Sequence, residues 1–164
     1  VKLTYNTVFV CFMEKLIYSS AEFAEIIEDT IKAGGCVPLV VMGNSMNPFL
    51  KDGKDTVWLK ACTESDFKRG KILLFRRTDG KIVLHRVRKA LPDGELVMNG
   101  DAQYWCENIK KEQAVAVVAF IEKNGKKKSC DSLIYRMRTE AWQILKPLRP
   151  YIFRIQRKIK KILG

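Results

Sequence analysis

The amino-acid sequence predicts a mainly β domain with one helix before it and amphipathic helices after it. Six short runs of β-forming residues alternate with turn signals through the middle of the chain, whereas helical periodicity occurs towards the two ends. Because no helical pattern separates the six runs, we expect them to pair as an antiparallel sheet that curls toward a small β-barrel. The predicted strands cover residues 38–42, 56–59, 72–75, 82–87, 96–98 and 114–121.

Composition limits the classes of protein that the chain can represent. Of its 164 residues, 47% are hydrophobic and 29% are charged, which is typical of a globular protein and excludes wholesale disorder. The longest apolar run, residues 8–13, is much shorter than the ~18 residues of a membrane span, and no signal-peptide pattern surrounds it. We therefore expect a cytoplasmic protein, with attachment to the inner face of the membrane left open.

The N-terminal helix is predicted over residues 20–33. Ser19 and Glu22 fit a capping box, apolar residues follow at helical spacing, and Gly34 with Gly35 ends the pattern. Residues 1–12 are expected to be an upstream extension or a loosely attached strand. The expected organisation is an N-terminal extension and helix over residues 1–36, a β domain over 37–125 and a basic helical tail over 126–164.

Positive charge is concentrated in the tail. The net charge is +12, and residues 123–164 supply +11 of it, with 13 basic and 2 acidic side chains. Within residues 151–164, isoleucines fall on one helical face and basic residues on the other. We expect this face to contact anionic membrane or to pack on the domain, and we rank nucleic acid lower because the aromatic residues of the tail have core-like spacing. A helical stripe precedes it, formed by Ile134, Met137, Ala141, Ile144, Leu145 and Leu148.

Cysteine and histidine usage argues against a metal site. The five cysteines are widely spaced without a Cys-x-x-Cys pair, and His85 is the single histidine. We expect reduced thiols, no metal and no cofactor.

A serine in a sharp turn and the single histidine form the candidate catalytic pair. Ser45 follows a Gly-Asn pair that permits a tight bend and precedes a proline that stiffens its exit. His85 lies within the predicted strand 82–87. A serine hydroxyl becomes a nucleophile when a neighbouring base takes its proton, and histidine is the usual base near neutral pH. Taken alone, such a pair is also consistent with an ordinary turn serine and a packed strand histidine.

Four segments, in the same order, resemble the signal peptidase I and LexA-like serine peptidases. Residues 43–48 (GNSMNP) are similar to the G-x-S-M-x-P nucleophile box, residues 69–76 (RGKILLFR) to an R-G-D-I-V-V-F-R strand, residues 84–87 (LHRV) to I-H-R-V, and residues 99–101 (NGD) to a closing G-D box. The resemblance covers about residues 38–120. It implies a LexA/signal peptidase-like antiparallel β-barrel with Ser45 as nucleophile and His85 as base, in the histidine branch of the superfamily and without the transmembrane anchor.

The resemblance also implies an acidic third member shortly after the closing box. Glu107 or Asp101 is expected to hold the imidazole ring, with Asp101 the better match to the residue that shapes the site. Three departures from the family pattern are a longer spacing in residues 53–55, Lys71 in place of an acid, and Gly43 where many leader peptidases carry an oxyanion serine.

The expected function is a serine endopeptidase that cleaves a peptide or protein substrate, such as a leader, after small residues. One alternative is a LexA-like regulator that cleaves itself, with Ala33-Gly34 as the expected bond, although residues 1–36 are too short for a helix-turn-helix module. The other is a catalytically silent domain that recruits a peptide or membrane partner. The sequence has no glycine-rich phosphate loop.

Overall fold

The structure, a computed structural model, describes residues 20–163. The expectations for residues 1–12 and for the Ser19 cap lie outside this range. The helices are α1 (Ser20–Lys32), α2 (Leu133–Ile144) and α3 (Arg149–Leu163). The strands are β1 (Val37–Val40), β2 (Thr56–Lys60), β3 (Ile72–Arg76), β4 (Ile82–Ala90), β5 (Leu96–Asn99), β6 (Glu107–Ile109), β7 (Ala114–Lys123) and β8 (Lys126–Ser129).

The strands form one antiparallel sheet in the order β1-β2-β7-β3-β4-β5-β6, with β8 paired to β7. The prediction of a mainly β domain with flanking helices is confirmed. The predicted barrel is wrong, because β1 and β6 lie at opposite ends of the pairing order and the sheet is open. Closing a barrel requires the two end strands to hydrogen-bond along their length, and these strands have only four and three residues.

Both faces of the sheet are buried, and successive residues of a strand alternate between two hydrophobic cores. The first core packs against α1 and includes Ile27, Val57, Leu59, Ile72 and Leu74. The second core includes Leu73, Phe75, Val87, Leu96 and Met98. In β4, this alternation places Leu84 against the first core and Val83 against the second, so consecutive polar residues of the same strand face different surroundings.

Each of the six predicted runs contains a strand, and two strands were not predicted. β6 has only three residues, too few for an alternating pattern to be recognised. Residues 126–129 are predicted to begin the helical tail, and this is wrong, because they form β8, in which Lys126, Lys127 and Lys128 are exposed. The Lys127 ammonium lies 3.1 Å from the centroid of the Trp58 ring, a cation–π contact that connects β8 to β2 across β7.

Beyond β8 the tail is helical, as predicted, and the α2 stripe faces outward. Ile134 and Ile144 are more than 70% exposed, whereas Thr139 and Gln143 are buried. None of the helices in residues 20–163 has both the length and the hydropathy needed to cross a bilayer.

Candidate active site

Ser45 lies in the turn that leads away from β1, and this turn is anchored on both sides. Gly43 has a φ of +86°, a conformation that favours glycine, and its N–H donates to Asp52 Oδ1 at 2.8 Å. On the other side, Met46 and Leu50 are buried in the first core. Ser45 is thus held half-buried at the surface between two fixed points.

A second contact holds the Ser45 backbone against the loop after β5. The Ser45 carbonyl accepts a hydrogen bond from the Ala102 N–H at 2.8 Å. A Cβ atom at Gly100 would lie 2.7 Å from the same carbonyl oxygen, so this approach requires glycine. Asn99, which precedes the loop, pairs with Arg86, the neighbour of His85 in β4. The loop therefore holds the Ser45 turn next to the histidine strand.

The structure brings His85 and Glu107 together. The Nδ1 atom of His85 lies 2.9 Å from Glu107 Oε1. The Arg77 guanidinium donates two hydrogen bonds to the same carboxylate, from Nε to Oε2 and from NH2 to Oε1, each at 2.6 Å. Arg77 follows β3 and Glu107 begins β6, so strands at two positions in the sheet supply the partners of a histidine on β4.

Electrostatics determine which nitrogen of His85 carries the proton. Burial raises the pKa of Glu107, but hydrogen bonds and charge from Arg77, with His85, outweigh burial and hold the pKa below its usual value. An ionised carboxylate can only accept, so His85 Nδ1 is the donor in this pair. In the neutral ring, Nε2 then keeps its lone pair, which is the form a general base requires.

Burial tunes the basicity of the ring. His85 is 1% exposed, with the rings of Phe75 and Trp105 at centroid distances of 6.0 and 6.1 Å. This burial lowers the pKa of His85 below its ordinary value, although Glu107 acts in the opposite direction. The histidine is consequently neutral at neutral pH.

Asp101 is placed elsewhere and binds Arg86. The Arg86 guanidinium donates from Nε to Asp101 Oδ1 at 2.9 Å and from NH2 to Oδ2 at 2.6 Å. Both side chains are 2% exposed, and Arg86 NH1 also donates to the Gly70 carbonyl at 2.8 Å. Asp101 therefore neutralises a buried cation beneath the site, and Glu107 holds the ring.

The sequence analysis missed the contribution of the tail to the site. Arg149 is 1% exposed and donates to the side-chain oxygen of Asn99 at 2.8 Å and to the carbonyls of Gly100 and Gln103 at 3.2 and 2.9 Å. Trp142 Nε1 donates to the Asp101 carbonyl at 2.8 Å. The helices α2 and α3, which lie 40 or more residues further along the chain, thus hydrogen-bond to the loop that contacts Ser45. Arg149 sits in a basic stretch, and nothing local distinguishes it from its solvated neighbours.

A cleft of about 450 Å³ contains Ser45. Its walls are residues 39–42 on one side and residues 82–84 on the other, with Met46 and Leu74 between them. Among the described strands, β1 pairs only with β2, and residues 82–85 of β4 pair only with β3. Both walls therefore offer unpaired strand edges, which an extended peptide can join.

The Ser45 turn and the His85 strand both contact β5 or the loop after it, but the two side chains are not hydrogen-bonded to each other. The wall of the cleft at residues 82–84 runs directly into His85. Within residues 20–163, however, the Ser45 hydroxyl makes no hydrogen bond to the imidazole, and the Ser45 N–H has no acceptor. The structure thus pairs His85 with Glu107 and leaves the Ser45 hydroxyl without a hydrogen bond to the ring.

Three of the cysteines differ in their exposure to solvent. Burial raises the pKa of Cys62 and of Cys130 to about 12, so both remain protonated. Cys106 is exposed, next to Glu107, and its Sγ accepts a hydrogen bond from Lys146 Nζ at 2.8 Å.

Comparison of the chain with protein-family models finds no matching family, and comparison with curated proteins finds no similar sequence.

Proposed function

We propose that the chain is a serine endopeptidase of the signal peptidase and LexA-like type, with Ser45 as nucleophile, His85 as general base and Glu107 as the residue that orients the ring. The observation that carries this proposal is the pairing of His85 Nδ1 with Glu107 Oε1 at 2.9 Å, on the strand whose residues 82–84 line the cleft together with Ser45. The order of the four sequence segments supports the same assignment.

The proposed reaction begins with an extended peptide bound along the strand edges of the cleft. Ser45 Oγ attacks the scissile carbonyl carbon while His85 Nε2 takes the hydroxyl proton. The Ser45 N–H, which has no acceptor among the described residues, donates to the developing oxyanion in this proposal. The protonated histidine then gives its proton to the leaving amine, and water hydrolyses the acyl-enzyme with His85 again as base.

Substrate binding has one geometric task in this proposal. Ser45 Oγ must come within hydrogen-bond distance of Nε2 of His85, whose ring is almost fully buried in this structure. Catalytic hydrogen bonds are often formed only in the substrate complex. The apolar side chains Met46, Leu74 and Leu84 around the serine fit a small uncharged P1 residue, the preference that the family resemblance implies.

A catalytically silent peptide-binding domain is the second candidate, and the absent Ser45–His85 hydrogen bond favours it. Such a domain would use the same strand edges without chemistry. Self-cleavage at Ala33-Gly34 has less support. The Ala33 and Gly34 N–H groups are hydrogen-bonded to Asp29 and Ile31 at the end of α1, so this bond is not extended.

A fluorophosphonate probe separates the two candidates because it reacts covalently with an activated serine. We expect the wild-type protein to be labelled stoichiometrically and Ser45→Ala to be unlabelled. Ser65→Ala removes an exposed serine outside the site and is the matched control; Cys106→Ser controls for reaction at the neighbouring thiol. Absence of labelling in the folded wild-type protein, together with binding of extended peptides, would establish the silent domain instead.

A further inference from the structure

The C-terminal helices expose a row of large aliphatic side chains, here called the apolar ridge. The ridge consists of Ile134, Met137, Ile144, Leu148, Ile155 and Ile159, which are between 48% and 73% exposed. At about 100° per residue, its α2 members lie on one side of the helix, opposite the buried Thr139 and Gln143. Folded monomers rarely leave so many large apolar side chains exposed on neighbouring helices without a partner.

The apolar ridge points outward because the surface beneath the C-terminal helices is polar and needs hydrogen-bond donors. The surface beneath the helix is the loop after β5, which presents backbone carbonyls. Trp142 and Arg149 satisfy these carbonyls with N–H donors, which aliphatic side chains cannot do. The polar side of the tail is therefore required at the site loop, and the apolar side is left for another contact.

Charge identifies the chemistry of that contact. Residues 141–164 contain seven basic residues and no acidic one. Arg138, Arg154 and Lys158 are exposed along the same helices. A second copy of this chain would bring an equally positive tail against the ridge, so charge opposes self-association through this face. The partner must offer negative charge together with an apolar interior.

From these observations we infer that α2 and α3 dock on an anionic lipid bilayer. The helices lie in the plane of the membrane, the apolar ridge enters the boundary between headgroups and acyl chains, and the basic side chains meet lipid phosphates. Nucleic acid offers phosphates but no apolar layer that would cover a row of isoleucines. This inference does not depend on the peptidase proposal, because it uses the opposite side of the tail.

Vesicle co-sedimentation of the full chain tests the inference. We expect binding to vesicles of phosphatidylglycerol and phosphatidylcholine at low salt, and at least tenfold weaker binding to pure phosphatidylcholine vesicles. Arg154→Gln with Lys158→Gln is expected to lower the partition coefficient by about fivefold per charge removed. The matched control, Lys89→Gln with Lys110→Gln, removes two exposed charges outside the tail and is expected to bind as the wild type does.

The apolar component has its own pair of variants. Ile144→Ser is expected to weaken binding to anionic vesicles several-fold, whereas Ile26→Ser, at an exposed isoleucine of α1, should leave binding unchanged. Both positions are exposed, so thermal unfolding is expected to stay near that of the wild type.

Three results would overturn the inference. The first is a wild-type protein that remains in the supernatant with anionic vesicles at low salt. The second is an Ile144→Ser variant that binds like the wild type, which would leave only unspecific attraction of charge. The third is a wild-type dimer in sedimentation equilibrium that Ile144→Ser converts to a monomer, which would identify a second copy as the partner.

Discussion

His85 and Arg86 are neighbours on β4, and each binds a carboxylate from the segment after β5, yet the two pairs are built differently. His85 faces the second core beside the exposed edge of Trp105, and its partner Glu107 is shared with Arg77. Arg86 faces the opposite side of the sheet, where Asp101 neutralises it in near-complete burial. One pair contains a group that can exchange a proton near neutral pH, and the other is a permanent ion pair.

The comparison shows that two consecutive residues of one strand, on opposite faces of the sheet, can have different roles: one side chain can titrate, and the other forms a buried ion pair. Burial lowers the pKa of His85 and makes the ring a proton acceptor. Arg86 keeps its charge because Asp101 outweighs the effect of burial. We therefore expect the first pair to control activity and the second to control stability.

The largest expected effect is the loss of the base. His85→Ala should lower kcat/KM for peptide cleavage by about 10⁴-fold or more, with the double variant Ser45→Ala, His85→Ala no worse than either single variant. Peptide turnover by purified, folded protein measures this effect. Near wild-type turnover in His85→Ala would exclude the mechanism.

Glu107→Gln should be the next most severe change in activity. Glutamine can still contact the ring but lacks the charge that stabilises the imidazolium, so we expect kcat to fall by about 10²- to 10⁴-fold. The matched variant is Glu140→Gln, which removes an acid bound by Arg69 at the surface and should retain full activity. Equal activity of these two variants would mean that Glu107 has no role in the reaction.

Asp101→Asn should act on stability, because it leaves the Arg86 charge buried without a counter-ion. We expect the free energy of unfolding to fall by about 3–5 kcal/mol, measured by denaturant unfolding. Glu140→Gln breaks the exposed bidentate pair with Arg69 and should cost at most about 1 kcal/mol. A stability change at Asp101 no larger than this control would contradict the assigned difference between the pairs.

Arg149→Met tests whether the tail positions the site loop. The variant keeps bulk but loses the donors to Asn99, Gly100 and Gln103, so we expect kcat to fall by about 10- to 100-fold with little change in KM. Arg154→Met removes an exposed arginine of the same helix and should be neutral. If Arg149→Met reduced stability while kcat of the folded fraction stayed normal, the role of Arg149 would be purely structural.

The smallest expected effect is a displacement of the pH profile. In the proposed mechanism the neutral imidazole is the base, so the lowered pKa of His85 should place the rising limb of kcat/KM below about pH 6.5, the value of an unperturbed histidine. In Glu107→Gln the charge that raises the pKa is gone, so the limb should move to still lower pH. A limb above pH 7, or one that Glu107→Gln moves upward, would show that His85 is not the titrating base.

Local patterns in the sequence determined the six predicted strands, the helical ends and the turn that carries Ser45. These features depend on residues within a few positions of one another, such as the Gly-Asn pair before Ser45 or the alternation in residues 82–87. The candidate serine and histidine could be named for the same reason.

Only the tertiary structure showed that Glu107 and not Asp101 contacts His85, that the sheet is open and that the α2 stripe faces outward. Strand pairing determines these contacts, because β6 places Glu107 on the face of His85, while Asp101 reaches the face of Arg86. The contribution of Arg149 depends on a loop some 50 residues earlier in the chain. Contacts of this kind join residues that share no local pattern, so the register of strands and the packing of helices determine them.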